Sequence, residues 1–149
     1  MNTPIVVLLS RKGAEVHAVG CRATVEEAVC EMSHHNIGSV AVVENGRLVG
    51  LLTERDVLAR VVAAGRQPDL TFVADVMTRN PATLSSRATV EDAMSLFTEQ
   101  RCRQLPVMDP ETDRMVGIIS IGDVNRWLVE MQRTEMDHLR QYIAGDHSG

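Results

Sequence analysis

Apolar positions recur at helical spacing behind two threonines set 65 residues apart. Val25, Ala28, Val29 and Met32 fall at i, i+3, i+4 and i+7 after Thr24, and Glu27 is placed to close a capping box. Val90, Ala93, Met94 and Phe97 repeat that stripe after Thr89, with Asp92 in the place of Glu27. Behind each predicted helix the period changes. Ser39 to Val43, the turn signal Asn45-Gly46 and Leu48 to Leu52 read as a β-hairpin. Gln104 to Met108 and Met115 to Ile119 read as another, joined by the longer turn Asp109-Pro110-Glu111-Thr112-Asp113. Thr53 and Ser120 then cap second helices carrying Val57, Leu58, Val61 and Val62, or Val124, Trp127, Leu128 and Met131. Short strands, Glu15 to Val19 and Pro81 to Leu84, precede the first helices, giving β-α-β-β-α twice and an α+β fold class.

The letters repeat as well as the pattern. Thr24-Val25-Glu26-Glu27-Ala28 returns as Thr89-Val90-Glu91-Asp92-Ala93, and Gly50 to Val57 returns as Gly117 to Val124, 67 residues on. The longer second turn absorbs the two-residue difference. A unit this short buries little apolar surface alone, so the copies are expected to pack on each other as two pseudo-symmetric repeats with a cleft between them. The boundaries read as an N-terminal helix over 1–14, repeat one over 15–64, a polar linker over 65–74, repeat two over 75–132 and a C-terminal helical tail over 133–149. Thr3-Pro4 predicts the first helix's start, with Pro4 at its first position, and Gly13 its end. Thr134 with Asp137 predicts a fresh cap, and Met136, Leu139, Tyr142 and Ile143 an apolar stripe suited to docking or dimerisation.

Composition narrows the classes. A formal charge of −5 with 3% aromatic residues supplies neither the basic field nor the stacking platforms of a nucleic-acid binder. The early apolar run Ile5 to Leu9 is too short to span a bilayer and no basic segment precedes it, so no membrane segment or signal peptide is expected, and a cytoplasmic protein is. Cys21, Cys30 and Cys102 are odd in number and occupy no repeated positions, which fits small buried residues in a reducing compartment.

The candidate chemistry lies in Gly-apolar-apolar-Thr/Ser-x-x-Asp, at Gly50 to Asp56 and Gly117 to Asp123. A hydroxyl followed three residues later by an acid is a helix cap worth about 1 kcal/mol, whatever else it does. The same geometry suits a nucleotide, because a helix N-terminus offers free N–H groups to phosphate and a first-turn carboxylate can accept two ribose hydroxyls. Micromolar affinity requires about 8 kcal/mol, so an apolar slot for a base is also needed, and the flanking strands can form one.

With its duplicated helix openings, the hairpin at Leu105-Pro106-Val107, Asp75-Val76-Met77-Thr78 and the two Gly-x-x-Thr/Ser-x-x-Asp blocks, the chain resembles the tandem cystathionine-beta-synthase (CBS) domain pair, or Bateman module, from about Val6 to Met131. That resemblance implies two crossed clefts for adenosine compounds, AMP first and ATP, ADP, NAD or S-adenosylmethionine beside it, with no metal and no catalysis. One cleft would join Thr53 and Asp56 to Thr78, Asn80, Pro81 and Ala82, with Cys102 and Arg103 alongside. The other would join Ser120 and Asp123 to the segment around Val16, His17 and Ala18, and to Ile37, Gly38 and Ser39. Arg103 is the phosphate partner of choice, and because Gly38 stands in its place in repeat one, the first cleft ranks ahead of the second. Repeat one also has Ala41 where repeat two has Pro106. The family implies a homodimer and a regulated protein partner. The competing reading is a protein adaptor whose clefts are empty.

Two further chemistries are weaker. Cys30 and His34 stand i, i+4 with His17, Cys21 and His35 nearby, but the spacing matches no closed zinc motif, and a buried cysteine with exposed histidines is the expectation. No nucleophile–base set, Gly-x-Gly-x-x-Gly fingerprint or phosphate loop is present, so no catalysis is expected.

Overall fold

The computed structural model describes residues 3–13 and 16–147, with side chains as far as Ala144. Glu15, the predicted first residue of the first strand, lies outside the described residues, as does the predicted boundary between 14 and 15. Helix α1 (Ile5–Lys12) is followed by β1 (Ala18–Gly20), α2 (Val25–His35), β2 (Ser39–Glu44) and β3 (Arg47–Thr53). Helix α3 (Glu54–Asp56) continues into a π-helical turn, Val57–Val62, and a 3-10 turn at Pro68–Leu70 leads to the short α4 (Val73–Val76). The second half comprises β4 (Thr78–Arg79), β5 (Leu84–Ser85), α5 (Val90–Gln100), β6 (Gln104–Asp109), β7 (Arg114–Ser120) and α6 (Ile121–His147).

The capping chemistry settles where the helices begin. Thr24 and Thr89 each accept from the backbone N–H three residues on, and Glu27 and Asp92 return the bond to the cap's own N–H. The two hairpins are superposable in register: Ser39 opposes Thr53 as Gln104 opposes Ser120, and each carries an irregularity at the same place, Val42/Val43 and Val107/Met108. Asn45 and Gly46 both have positive φ, 51° and 77°, as the tight Asn-Gly turn requires. Three of the four positions in each predicted α2/α5 stripe face inward: Val25, Ala28 and Met32, like Val90, Ala93 and Phe97, are buried, whereas the equivalent Val29 and Met94 are exposed.

Each half has its own core, and each core borrows from elsewhere in the chain. Val73, Val76 and Met77, which lead into repeat two in sequence, pack with Val25, Val40, Val42 and Leu52 of repeat one. Ile5 and Leu8 of α1 pack with Val90, Leu105, Val107 and Ile119 of repeat two. The backbone follows the same exchange: Val25 N–H donates to Thr71 O and Val73 N–H to Ala23 O, while Val90 N–H donates to Thr3 O and Ile5 N–H to Ala88 O. Packing therefore crosses the sequence boundary that the predicted division at 75 follows.

Three expectations need correction. Pro4 stands at the cap of α1 and not at its first helical position, because Thr3 and Pro4 are held extended against Val90 and Thr89. The predicted break at Thr134 is absent: α6 runs unbroken over 27 residues, and Thr134 turns its hydroxyl back onto Glu130 O at 3.0 Å. Cys30 is exposed, and Cys21 and Cys102 are half-buried. Gly13 ends α1 as expected, with φ 101° and its N–H on Leu9 O.

Candidate functional site

The two repeats meet along an axis marked by one hydrogen bond. Ser39 Oγ donates to Gln104 Oε1 at 3.2 Å, and these are equivalent residues, each the first of its hairpin. The neighbouring equivalences hold too: Glu54 N–H donates to Gly38 O at 3.1 Å, and Ile121 N–H donates to Arg103 O at 3.0 Å. Gly38 thus stands where repeat two has Arg103, as the sequence indicates.

The duplicated hydroxyl and acid form the same small device twice. Asp56 N–H donates to Thr53 Oγ1 and Thr53 N–H to Asp56 Oδ2, both at 3.1 Å. Asp123 N–H donates to Ser120 Oγ at 3.0 Å and Ser120 N–H to Asp123 Oδ2 at 2.9 Å. Both acids are buried, which is costly for a carboxylate unless it is well partnered. They find different partners. Asp56 accepts the Thr78 hydroxyl, 3.1 Å from each carboxylate oxygen, with Arg60 at 4.0 Å. Asp123 accepts the Lys12 ammonium at 2.6 Å and Arg126 at 3.3 Å. Burial alone would raise the Asp123 carboxyl, but the bonds from Lys12 and Ser120 outweigh it and hold it below the ordinary range.

The first predicted set is brought together only in part. Thr53, Asp56 and Thr78 are in direct contact, because β4 pairs with β3 through Leu51 and Thr78. Asn80 is exposed with φ 46°, and Ala82 and Cys102 pack against the core of repeat two. Burial pushes the Cys102 thiol above its ordinary value, as suits a packing residue. Arg103 is exposed, and no hydrogen bond or ion pair ties its side chain to Asp56.

The second predicted set converges, all but Ala18. His17, Ile37, Gly38, Ser39, Ser120 and Asp123 all line one cavity of about 470 Å³, with Gln104 at its back. Leu9, Val16 and Ile118 add apolar wall, and Lys12 and Arg126 add positive charge. Sequence reasoning missed these two cations because it sought one at the position matching Arg103. The chain's only lysine was the signal available: it ends a helix whose inner face is apolar, and that helix docks on repeat two.

A second convergence was foreseen only in part. His17 and His35, two of the residues weighed for zinc in the sequence, gather with Glu31 at the cavity's edge, with His17 Nδ1 3.6 Å and His35 Nε2 3.2 Å from the same Glu31 oxygen. Cys30 and His34, the spacing weighed in sequence, are not part of this group.

Comparison with known proteins agrees with this architecture. The CBS domain family matches residues 1–63 and again 73–130. A mitochondrial CBS domain-containing protein of Arabidopsis thaliana is 39% identical over 129 residues, 83% of this chain. This chain spans only 62% of that relative's length. The crystal structure of a CBS-domain containing protein from Agrobacterium tumefaciens superposes with a TM-score of 0.76 at 35% identity, covering 83% of this chain and 98% of that one. Hypoxic response protein I, crystallised with two coordinated zinc ions, superposes with a TM-score of 0.66 at 28% identity over 76% of this chain and 92% of its own.

Proposed function

The chain belongs to the CBS-domain family, and from that premise we propose that it is a non-catalytic sensor that takes an adenosine nucleotide, AMP first, in the cavity around Ser120 and Asp123. CBS-domain pairs are generally regulatory and ligand-binding. One observation carries the finer reading: a cavity of about 470 Å³, within the size range of small-molecule sites, is lined by both repeats and holds the chemistry each part of a nucleotide needs. Leu9, Val16, Ile37 and Ile118 offer apolar surface to a base. Asp123 can accept ribose hydroxyls, and Lys12 and Arg126 offer positive charge to phosphate. Lys12 has a double part in this reading. Without ligand it neutralises Asp123; with ligand it swings to the phosphate and releases the carboxylate to the sugar. The order of preference between the clefts is then the reverse of that drawn from Arg103, with the Thr53/Asp56/Thr78 cleft second.

The experiment is a thermal-shift and calorimetric panel of AMP, ADP, ATP, NAD and S-adenosylmethionine on the intact chain. Binding by wild type and its loss in Asp123→Ala is the expected result. A flat panel favours the adaptor reading, which has its own support in the exposed Met136, Leu139, Tyr142 and Ile143 along α6 and in a Thr53/Asp56/Thr78 site whose polar groups already satisfy one another. In either reading the module acts in the cytoplasm as a homodimer that passes its state to a partner protein, without nucleic acid or membrane. Among the described residues no helix is long and apolar enough to cross a membrane. Light scattering at micromolar concentration tests the dimer, and a monomer mass refutes it.

A further inference from the structure

Helix α2 carries Glu31 and His35 one turn apart, so both project from the same side. The chain entering β1 brings His17 against them, its backbone fixed by Ala41 N–H donating to His17 O at 3.1 Å. The His17 and His35 rings stack with centroids 3.9 Å apart, and His34 buttresses His35 edge-on at 4.9 Å. One ligand atom from each of His17, Glu31 and His35 lies within 4.8 Å of the others. In a tetrahedral zinc site with bonds of 2.0–2.1 Å, donor atoms stand about 3.3–3.4 Å apart. Two edges of that figure are already close, 3.6 Å from His17 Nδ1 and 3.2 Å from His35 Nε2 to Glu31 Oε1. The first of these is longer than a hydrogen bond.

We propose that His17, Glu31 and His35 form a binding site for a zinc-type divalent cation at the edge of the cavity. Two imidazoles and one carboxylate suit zinc, cobalt or nickel and not magnesium or calcium, which take all-oxygen shells. Three protein ligands leave a fourth position for water or for a group entering from the cavity, which His17 and His35 also line. With neutral imidazoles and one carboxylate the loaded site carries a net charge of about +1. The ion would also clamp the strand β1 side of repeat one to α2, joining segments that no regular backbone ladder connects directly.

The test is zinc chloride titrated calorimetrically into chelator-treated intact protein, repeated with cobalt chloride and read by visible absorption. One equivalent per chain is expected, with tetrahedral cobalt bands and no thiolate charge-transfer band. Glu31→Gln and His35→Ala should each weaken zinc by at least about tenfold, with circular dichroism unchanged. Cys30→Ser should leave affinity as it is. Absence of stoichiometric binding, affinity indifferent to Glu31 and His35, or a cobalt–thiolate band that vanishes in Cys30→Ser would each overturn the proposal. No nucleotide enters the experiment, so its failure leaves the nucleotide reading untouched, and the converse holds.

Discussion

The sites around Asp56 and Asp123 begin from the same hydroxyl–acid pair and end as different environments. The cause lies in the chain that arrives third. After Met77 the backbone extends, pairs with β3 and delivers a neutral hydroxyl, Thr78, to Asp56. After Leu9, which packs over Gly117 as Met77 packs over Gly50, the backbone stays helical for three more residues and delivers an ammonium, Lys12, to Asp123. A repeated motif therefore fixes a helix start, while a segment outside the motif decides the charge beside it. The comparison also explains why only one side of the β3–β7 region gains a fourth strand: α1 occupies on repeat two the place that β4 takes on repeat one.

The sharpest way to break this contrast is ligand affinity. Asp123→Ala is expected to reduce nucleotide binding by more than tenfold, about 1.4 kcal/mol or more, while Asp56→Ala reduces it less; calorimetry on both variants decides. An equal loss in both variants would make the two sites equivalent, and a reversed order would restore the ranking by Arg103.

Next in size is the glycine under each arriving segment. A Cβ at Gly50 would collide with the Met77 sulfur and stand 3.0 Å from the Thr78 backbone oxygen, whereas at Gly117 its nearest neighbours all belong to the Leu9 side chain. Gly50→Ala should therefore cost about 1–3 kcal/mol in chemical denaturation, and Gly117→Ala distinctly less, since a leucine end can shift and a strand backbone cannot.

Removing a hydroxyl comes third. Thr78→Val takes from Asp56 the hydroxyl donor that β4 delivers, and a loss of about 0.5–1.5 kcal/mol is expected in the same assay.

The smallest effect concerns pH. The folded-state pKa of Asp123 is depressed, so its stabilisation is present above the unfolded carboxyl value near 3.9 and is lost as pH falls through the folded one. Lys12→Met should flatten that acid limb. At neutral pH the variant should lose no more than about 1 kcal/mol, because the Lys12 side chain is one-third exposed and solvent screens the pair. An unchanged acid limb would show that Lys12 does not hold Asp123.

Much of the fold could be read from the chain because its signals are local. Thr24 with Glu27, Thr89 with Asp92, Thr53 with Asp56 and Ser120 with Asp123 each satisfy backbone donors within one turn, and Asn45-Gly46 closes its hairpin without help from elsewhere. The residues expected at the second cleft, Ala18 apart, do share a cavity, since their positions follow from register across a pseudo-two-fold axis. What escaped was set by distant neighbours. Lys12 lies 111 residues from the acid it neutralises, and Glu31 gains significance only when β1 carries His17 over α2. Thr134 carries a cap's letters, yet the helix in front of it is already formed and its hydroxyl folds back onto that helix.

The exchange of segments between the cores has a consequence for how the molecule comes apart. Cutting the chain at 64 would strip repeat one of Val73, Val76 and Met77, and cutting before 73 would leave repeat two without Ile5 and Leu8. Each half is thus a lock whose key is threaded through the other. Unfolding is expected to proceed as one cooperative event, with neither half surviving as a separate melting unit, and the first helix and the linker act as fasteners between halves that a linear map would draw side by side.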